Sequence, residues 1–360
     1  MNSAGPASAA SAGLARRTVA AVADWLAASD PAPWVVETSG STGRPKRVML
    51  SRRAVAASVD ASARRVGGPA GPLGGRWLLT LPASYVAGLN VITRALAAGA
   101  PPVLLEDHGS FAEATEKLGD DLPRFVSMVP TQLHRMLEAG GEDLAALATY
   151  HTLLLGGGPI DPSLRARAAA AGVHVVSTYG SAETTGGCVY DGMPLDGVAL
   201  AIAADGRVRI GGPVLFDGYE SDPERTAEAL VDGWFLTSDA GRLDEDGRLE
   251  LLGRIDDMVV TGGVNVPAAV VARRLREHPD VAAAEVLGVP DEEWGNRLVA
   301  FVVRRDGVGG DSLDTLRDWV GEAHPRSWAP RQLVVLPAIP HLPNGKADRL
   351  RLRSLVEERA

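Results

Sequence analysis

Thr38-Ser39-Gly40-Ser41-Thr42-Gly43-Arg44-Pro45-Lys46 is the densest run of hydrogen-bond donors in the chain. Small hydroxyl residues and glycines in succession let a backbone turn tightly and aim several N–H and O–H groups at one centre. Arg44 and Lys46 add positive charge, so the run suits a polyphosphate. It is not a G-x-x-x-x-G-K-[ST] loop, because Lys46 does not follow the last glycine and strand-like Val48-Met49-Leu50 comes next.

Four further stretches carry chemistry. The apolar run Leu153-Leu154-Leu155 enters Gly156-Gly157-Gly158-Pro159, bare backbone against which a flat ligand can lie. A dinucleotide fingerprint is excluded there, since Asp161 stands where its third glycine belongs. Tyr179-Gly180-Ser181-Ala182-Glu183 offers a ring for stacking and a hard carboxylate oxygen of the kind that holds Mg²⁺ beside phosphates. In Thr237-Ser238-Asp239 the carboxylate can accept from both hydroxyls of a ribose, and Arg254 can make charge-assisted bonds to phosphate or ribose oxygens. Finally, Pro343-Asn344-Gly345-Lys346 reads as a turn that displays Lys346. Taken singly, each has a plain alternative: a surface loop, a turn, a salt bridge or a solvated lysine.

These stretches need a scaffold that sets each at the end of a strand. From Trp34 to about Val214, short β-branched runs such as Trp77–Thr80, Val103–Leu105, Phe125–Val129 and Val173–Val176 alternate with helical stretches such as Arg52–Arg65 and Thr131–Glu138. That alternation predicts an α/β fold with a mostly parallel sheet. After Leu200 the texture changes to short strands punctuated by Asp205-Gly206, Asp232-Gly233 and Asp246-Gly247, a small antiparallel β subdomain. Ser221-Asp222-Pro223-Glu224 reads as a capping box opening a helix through Leu230. A mixed α+β unit follows, with helices near 267–277 and 312–321 and strands near 282–287, 298–303 and 332–336. The expected layout is a flexible tail over 1–13, an N-terminal domain over 14–255 whose β subdomain spans 200–255, and a small mobile C-terminal domain over 256–360.

Composition narrows the classes. With 360 residues, 46% of them hydrophobic, the chain can bury more than one core. A formal net charge of -9 argues against nucleic acid as a partner while leaving room for a locally cationic phosphate site. Cys188 is the only cysteine, so neither an internal disulfide nor a thiolate metal site can form. The window 86–105 is broken by Arg94, Gly99 and Pro101-Pro102, too short for a membrane span. Arg16-Arg17 follow the small-residue stretch instead of preceding it, the reverse of a secretory signal. A cytoplasmic location is expected.

In this order the stretches resemble the adenylate-forming superfamily of acyl-CoA synthetases, adenylation domains and luciferases, with likeness from Trp34 to Lys346. The resemblance implies an α/β fold with a small mobile C-terminal domain, ATP and Mg²⁺ as cofactors, coenzyme A as co-substrate, and a small carboxylic acid as partner. It implies that Thr38, Ser39, Gly40, Ser41, Thr42, Gly43 and Lys46 hold the β- and γ-phosphates. Gly156, Gly157, Gly158, Pro159, Tyr179 and Gly180 would hold adenine, Glu183 the metal, Asp239 and Arg254 the ribose. Asp256 would be the hinge, Gly262 and Gly263 the strip that approaches coenzyme A, and Lys346 the lysine bridging the reacting carboxylate and α-phosphate. Three departures stand out: Ala182 where the family has threonine, Arg47 where glycine is common, and a phosphate loop unusually close to the start.

That compactness, with Leu81–Leu89 and Gly186–Gly192, is similar to the o-succinylbenzoate–CoA ligase branch of menaquinone biosynthesis. It implies an acyl site lined by Tyr85, Gly88, Thr185, Gly186 and Gly187. Another aryl or short-chain acid, and a non-catalytic adenylate-binding relative, remain alternatives, and a homo-oligomer is compatible with either.

Overall fold

The structure is a computed structural model that describes residues 6–38, 46–67, 74–255, 258–305, 312–340 and 347–358. By internal contacts the chain divides into two units, residues 1–201, 209–237 and 243–249 in one and 202–208, 238–242 and 250–360 in the other.

The first unit opens with α1 (Pro6–Ala27), so residues 6–13 are helical where a flexible tail was expected. Strands β1 (Trp34–Thr38) and β2 (Lys46–Leu50) pair antiparallel, with Thr38 opposite Lys46. Then come α2 (Arg52–Val66), β3 (Arg76–Leu79), α3 (Val86–Ala97), β4 (Val103–Leu104), α4 (Phe111–Leu118), β5 (Arg124–Met128), α5 (Pro130–Ala139), α6 (Gly141–Leu147), β6 (Thr152–Leu155), α7 (Pro162–Ala170), β7 (Val175–Ser181), β8 (Gly186–Tyr190) and β9 (Met193–Pro194). Seven of these strands form one sheet in the order β4-β3-β5-β6-β7-β8-β9, parallel through β7 and antiparallel beyond it. The parallel strands read as unbroken apolar runs because both faces are covered; Leu78, Val126, Leu153 and Leu155 are fully buried beside Phe111, Leu133 and Leu147 from the flanking helices. Each such side chain contributes about 1.5–3 kcal/mol on burial.

Strands β10 (Ala199–Ile202), β11 (Arg207–Gly211) and β12 (Gly218–Tyr219) precede α8 (Pro223–Ala229), β13 (Leu230–Val231), β14 (Trp234–Leu243) and β15 (Leu249–Arg254). The division between units falls within β10, β11, β14 and β15. The expected turn at Asp232-Gly233 joins β13 to β14, and φ is positive at both residues, as a two-residue hairpin turn requires. The cap of α8 is Asp222, whose side chain accepts from Arg225 N–H, and not Ser221, which sits one residue too early in a left-handed conformation.

In the second unit β16 (Met258–Thr261) and β17 (Val264–Pro267) form a hairpin, followed by α9 (Ala268–Arg276), β18 (Val281–Asp291), β19 (Gly295–Arg304), α10 (Leu313–Ala323), β20 (Gln332–Val335) and α11 (Arg349–Glu357). Strand β19 alternates its faces: Leu298, Ala300 and Val302 pack with Val271, Leu275, Leu316 and Val320, whereas Val299 and Phe301 pack with Leu352 and Val356 of α11. Among the described residues no helix is long and apolar enough to cross a membrane.

Candidate active site

The site is built where parallel strands end. Gly156–Pro159 continue from the carboxyl end of β6, and Tyr179 and Gly180 lie near the carboxyl end of the neighbouring β7, with Leu155 opposite Ser177. Such ends are where open α/β sheets bind ligands. The structure extends β7 through Ser181, so Tyr179 and Gly180 are strand residues and not part of a following loop; pairing with β8 on the far side holds them there.

A single helical turn, Ala182–Thr184, then carries Glu183. Thr184 Oγ accepts the Ser181 N–H at 2.9 Å and reaches the Gly186 carbonyl at 2.8 Å, which closes the turn. The Glu183 carbonyl accepts from Phe216 N–H at 2.9 Å. Strand β12, just beyond Phe216, pairs with β2, placing Tyr219 opposite Val48. Lys46 and Tyr219 thereby reach the Glu183 carboxylate from adjacent strands. Lys46 Nζ lies 3.5 Å from Oε1, and the Tyr219 hydroxyl donates to the same oxygen at 2.8 Å. Glu183 is only 6% exposed. Burial, then the Glu183 charge and hydrogen bond, push the Tyr219 hydroxyl well above its ordinary range, so it stays a donor. Lys46 Nζ and the Arg225 guanidinium each lie 5.3 Å from the Tyr219 ring centroid, a cation–π distance.

Oε2 of Glu183 has no hydrogen-bond partner among the described residues. One carboxylate oxygen left without a hydrogen bond beside a lysine fits a Mg²⁺ that takes its remaining ligands from phosphate and water. No group of three metal-ligating side chains occurs among the described residues.

The residues expected around the acid surround β8 and α3. Tyr85 precedes α3 and is 48% exposed, and Gly88 is buried within it. Thr185 is left-handed (φ 52°), an unfavourable conformation for a β-branched residue. It is held by three bonds: its hydroxyl donates to the Val214 carbonyl at 2.7 Å, and its own carbonyl accepts from Asn90 Nδ2 at 2.8 Å and Ser58 Oγ at 3.3 Å. Gly186 has no room for a side chain, since a Cβ there would fall 2.1 Å from Asn90 Nδ2. Gly187 follows in β8.

Two residues that sequence reasoning did not assign stand out, Arg94 toward the amino ends of the parallel strands, beside Trp77 and Phe125, and Tyr219 at Glu183. Arg94, one turn beyond Asn90 on α3, is 6% exposed, donates to the Tyr190 hydroxyl at 3.1 Å and packs on Trp77. Its Nε is buried without a partner, and among the described residues no carboxylate lies within ion-pair distance. A cavity of about 20 Å³ adjoins it, lined by Val59, Ser62, Trp77 and Phe125. An arginine inside an apolar helix was the available signal. Tyr219 is the second, and its only signal was a buried-type aromatic after Gly218.

Asp239 and Arg254 lie in the second unit, with Arg254 Nη1 3.9 Å from Asp239 Oδ1. Gly262 and Gly263 form the β16–β17 turn, both at positive φ. A Cβ on Gly262 would fall 2.7 Å from the Trp294 ring, so glycine is required there. Ser39, Gly40, Ser41, Thr42, Gly43, Asp256 and Lys346 lie outside the described residues. The structure thus brings Lys46 to Glu183, sets Tyr179 beside Gly156–Pro159, and pairs Asp239 with Arg254.

Residues 6–219 match the AMP-binding enzyme family, and residues 271–346 match the AMP-binding enzyme C-terminal domain. A probable 2-succinylbenzoate–CoA ligase of Mycobacterium tuberculosis is 42% identical over 332 residues, covering 90% of this chain and 84% of that protein. The solved o-succinylbenzoate CoA synthetase of Bacillus subtilis, in complex with the acyl-adenylate intermediate OSB-AMP, is similar with a TM-score of 0.70 at 27% identity. It is matched over 89% of this chain and 68% of its own. The amide bond synthetase McbA of Marinactinospora thermotolerans gives 0.72 at 32% identity, over 89% and 68%.

Proposed function

This chain belongs to the AMP-binding enzyme family and has the adenylate-forming fold, and from that premise we propose that it is an ATP-dependent o-succinylbenzoate–CoA ligase. In the first step a carboxylate oxygen attacks the α-phosphorus of ATP, forming the acyl-adenylate and expelling pyrophosphate. In the second, the thiol of coenzyme A attacks the acyl carbon and AMP leaves. The observation that carries the reading is the meeting of Lys46, at the end of the Ser/Thr/Gly run, with Glu183 at 3.5 Å. An ATP site built from these residues needs those two stretches to converge on one triphosphate.

The residues divide the work. Two anions must approach each other in the first step, so positive charge placed in advance lowers the barrier. Lys46 and the donors Thr38–Gly43 would supply it at the β- and γ-phosphates, and Lys346 between the carboxylate and the α-phosphate. Mg²⁺ at Glu183, when bound, would neutralise phosphate charge. Gly156–Pro159, Tyr179 and Gly180 would receive adenine, and Asp239 and Arg254 the ribose. Thr184 cannot replace the hydroxyl lost at Ala182, because its Oγ closes the turn. Ser181 Oγ, buried and without a partner among the described residues, has the spare capacity.

The acid would lie along the candidate lining Tyr85, Gly88 and Thr185–Gly187. Coenzyme A as acceptor follows the names of the succinylbenzoate relatives, and Gly262-Gly263 would face it. A cytoplasmic location accords with these soluble substrates.

The test is pyrophosphate release with o-succinylbenzoate and a panel of other acids, with and without coenzyme A. Release with o-succinylbenzoate and conversion to its thioester only on adding coenzyme A is expected. No release with any acid would end the reading, and transfer to an amine in place of the thiol would move it toward the amide bond synthetases. Lys346→Ala should abolish pyrophosphate release, by at least about 10²–10³, while sparing attack of coenzyme A on preformed acyl-adenylate; equal loss of both half-reactions contradicts the assigned role.

A further inference from the structure

The two oxygens of the Glu183 carboxylate are not equivalent. Oε1 receives the Tyr219 hydroxyl at 2.8 Å and faces Lys46 at 3.5 Å, whereas Oε2 has no hydrogen-bond partner among the described residues. A charge-assisted hydrogen bond of 2.8 Å is the stronger of the two contacts to Oε1. Lys46 is also the partner that must leave, since the assigned role takes it to the phosphates.

Tyr219 is fixed from several sides. It is 5% exposed, its N–H donates to Thr226 Oγ at 2.8 Å, and the Phe216 ring meets it edge-on at 4.9 Å. Its partner in register, Val48, lies two residues from Lys46 on the same strand face. The hydroxyl therefore stays in place when Lys46 moves, while a glutamate side chain held by nothing else would sample its rotamers.

We propose that Tyr219 is the positioning residue for Glu183: its hydroxyl anchors Oε1 so that Oε2 is turned toward the divalent cation arriving with ATP. This rests on the reading of Glu183 as the metal-binding carboxylate. Partners one bond removed from a metal ligand typically govern affinity by about 10–100-fold.

The decisive variant is Tyr219→Phe, which keeps the ring and its two cations and removes only the oxygen. Free Mn²⁺ is titrated by electron paramagnetic resonance into the full chain with α,β-methylene ATP and no acid, so that nothing turns over. Tyr219→Phe should weaken Mn²⁺ binding by about tenfold or more, with thermal stability and metal-free binding of the analogue unchanged. In the double variant with Glu183→Gln the two losses should not add, because one acts through the other. Unchanged Mn²⁺ affinity in Tyr219→Phe, alongside a clear loss in Glu183→Gln, overturns the positioning role alone. Normal Mn²⁺ binding by Glu183→Gln overturns the reading of Glu183 and this inference with it. A loss in Tyr219→Phe that tracks a fall in stability, or that adds to the Glu183→Gln loss, marks a structural role and also overturns it.

Discussion

Two acid–base groupings in this chain were assigned to the nucleotide by the same reasoning, and they are built differently. Lys46, Glu183 and Tyr219 meet in the first unit around a carboxylate that is 6% exposed, tied through its own backbone to Phe216 and through its side chain to Tyr219. Asp239 and Arg254 meet in the second unit at 3.9 Å, with side chains 28% and 43% exposed. A solvated pair of that length contributes about 0–1 kcal/mol to stability. The buried grouping has a geometry before any ligand arrives, which is the condition for stabilising charge as it develops in a transition state.

The contrast makes ordered predictions. Glu183→Gln should cost the most, lowering pyrophosphate release by about 10²–10³ at saturating acid and ATP. Asp239→Ala should raise the KM for ATP by about tenfold with little change in Tm; an effect on kcat as large as that of Glu183→Gln would erase the distinction between the groupings.

The smallest effect lies at the other end of the strands that hold Tyr179 and Gly156. His151 and His174 immediately precede β6 and the approach to β7, and their rings lie 6.3 Å apart. Burial first, then the charge of His174, hold His151 below the ordinary histidine range. The folded state thus prefers the neutral ring, and the stability this gives is present above that range and lost as pH falls through the lowered pKa. Tm should decline on acidification and decline less in His151→Asn, with pyrophosphate release at neutral pH unchanged.

Where local chemistry dictated structure, the sequence was readable. Buried parallel strands showed as apolar runs, Asp232-Gly233 forced a hairpin because few other pairs tolerate two positive φ angles, and Gly262-Gly263 formed the turn its residues allow. Position-dependent details were less visible. Ser221 and Asp222 are both good caps, and only the path of the chain chose between them. Ser181 and Thr184 both carry a hydroxyl near Ala182, and only the fold shows that the turn uses that of Thr184.

The sequence by itself determined which chemistries were affordable: donors for a triphosphate, a ring for a base, a hard carboxylate for a cation, all at strand ends. These depend on residue type and on neighbours a few positions away, which the chain carries wherever it goes. Only the tertiary structure decided that Lys46 and Tyr219 share one oxygen of Glu183, and that Arg94 Nε is buried without a partner among the described residues. Those facts join residues far apart in the chain, and burial, which gives a hydrogen bond or a charge its weight, exists only once the chain has folded.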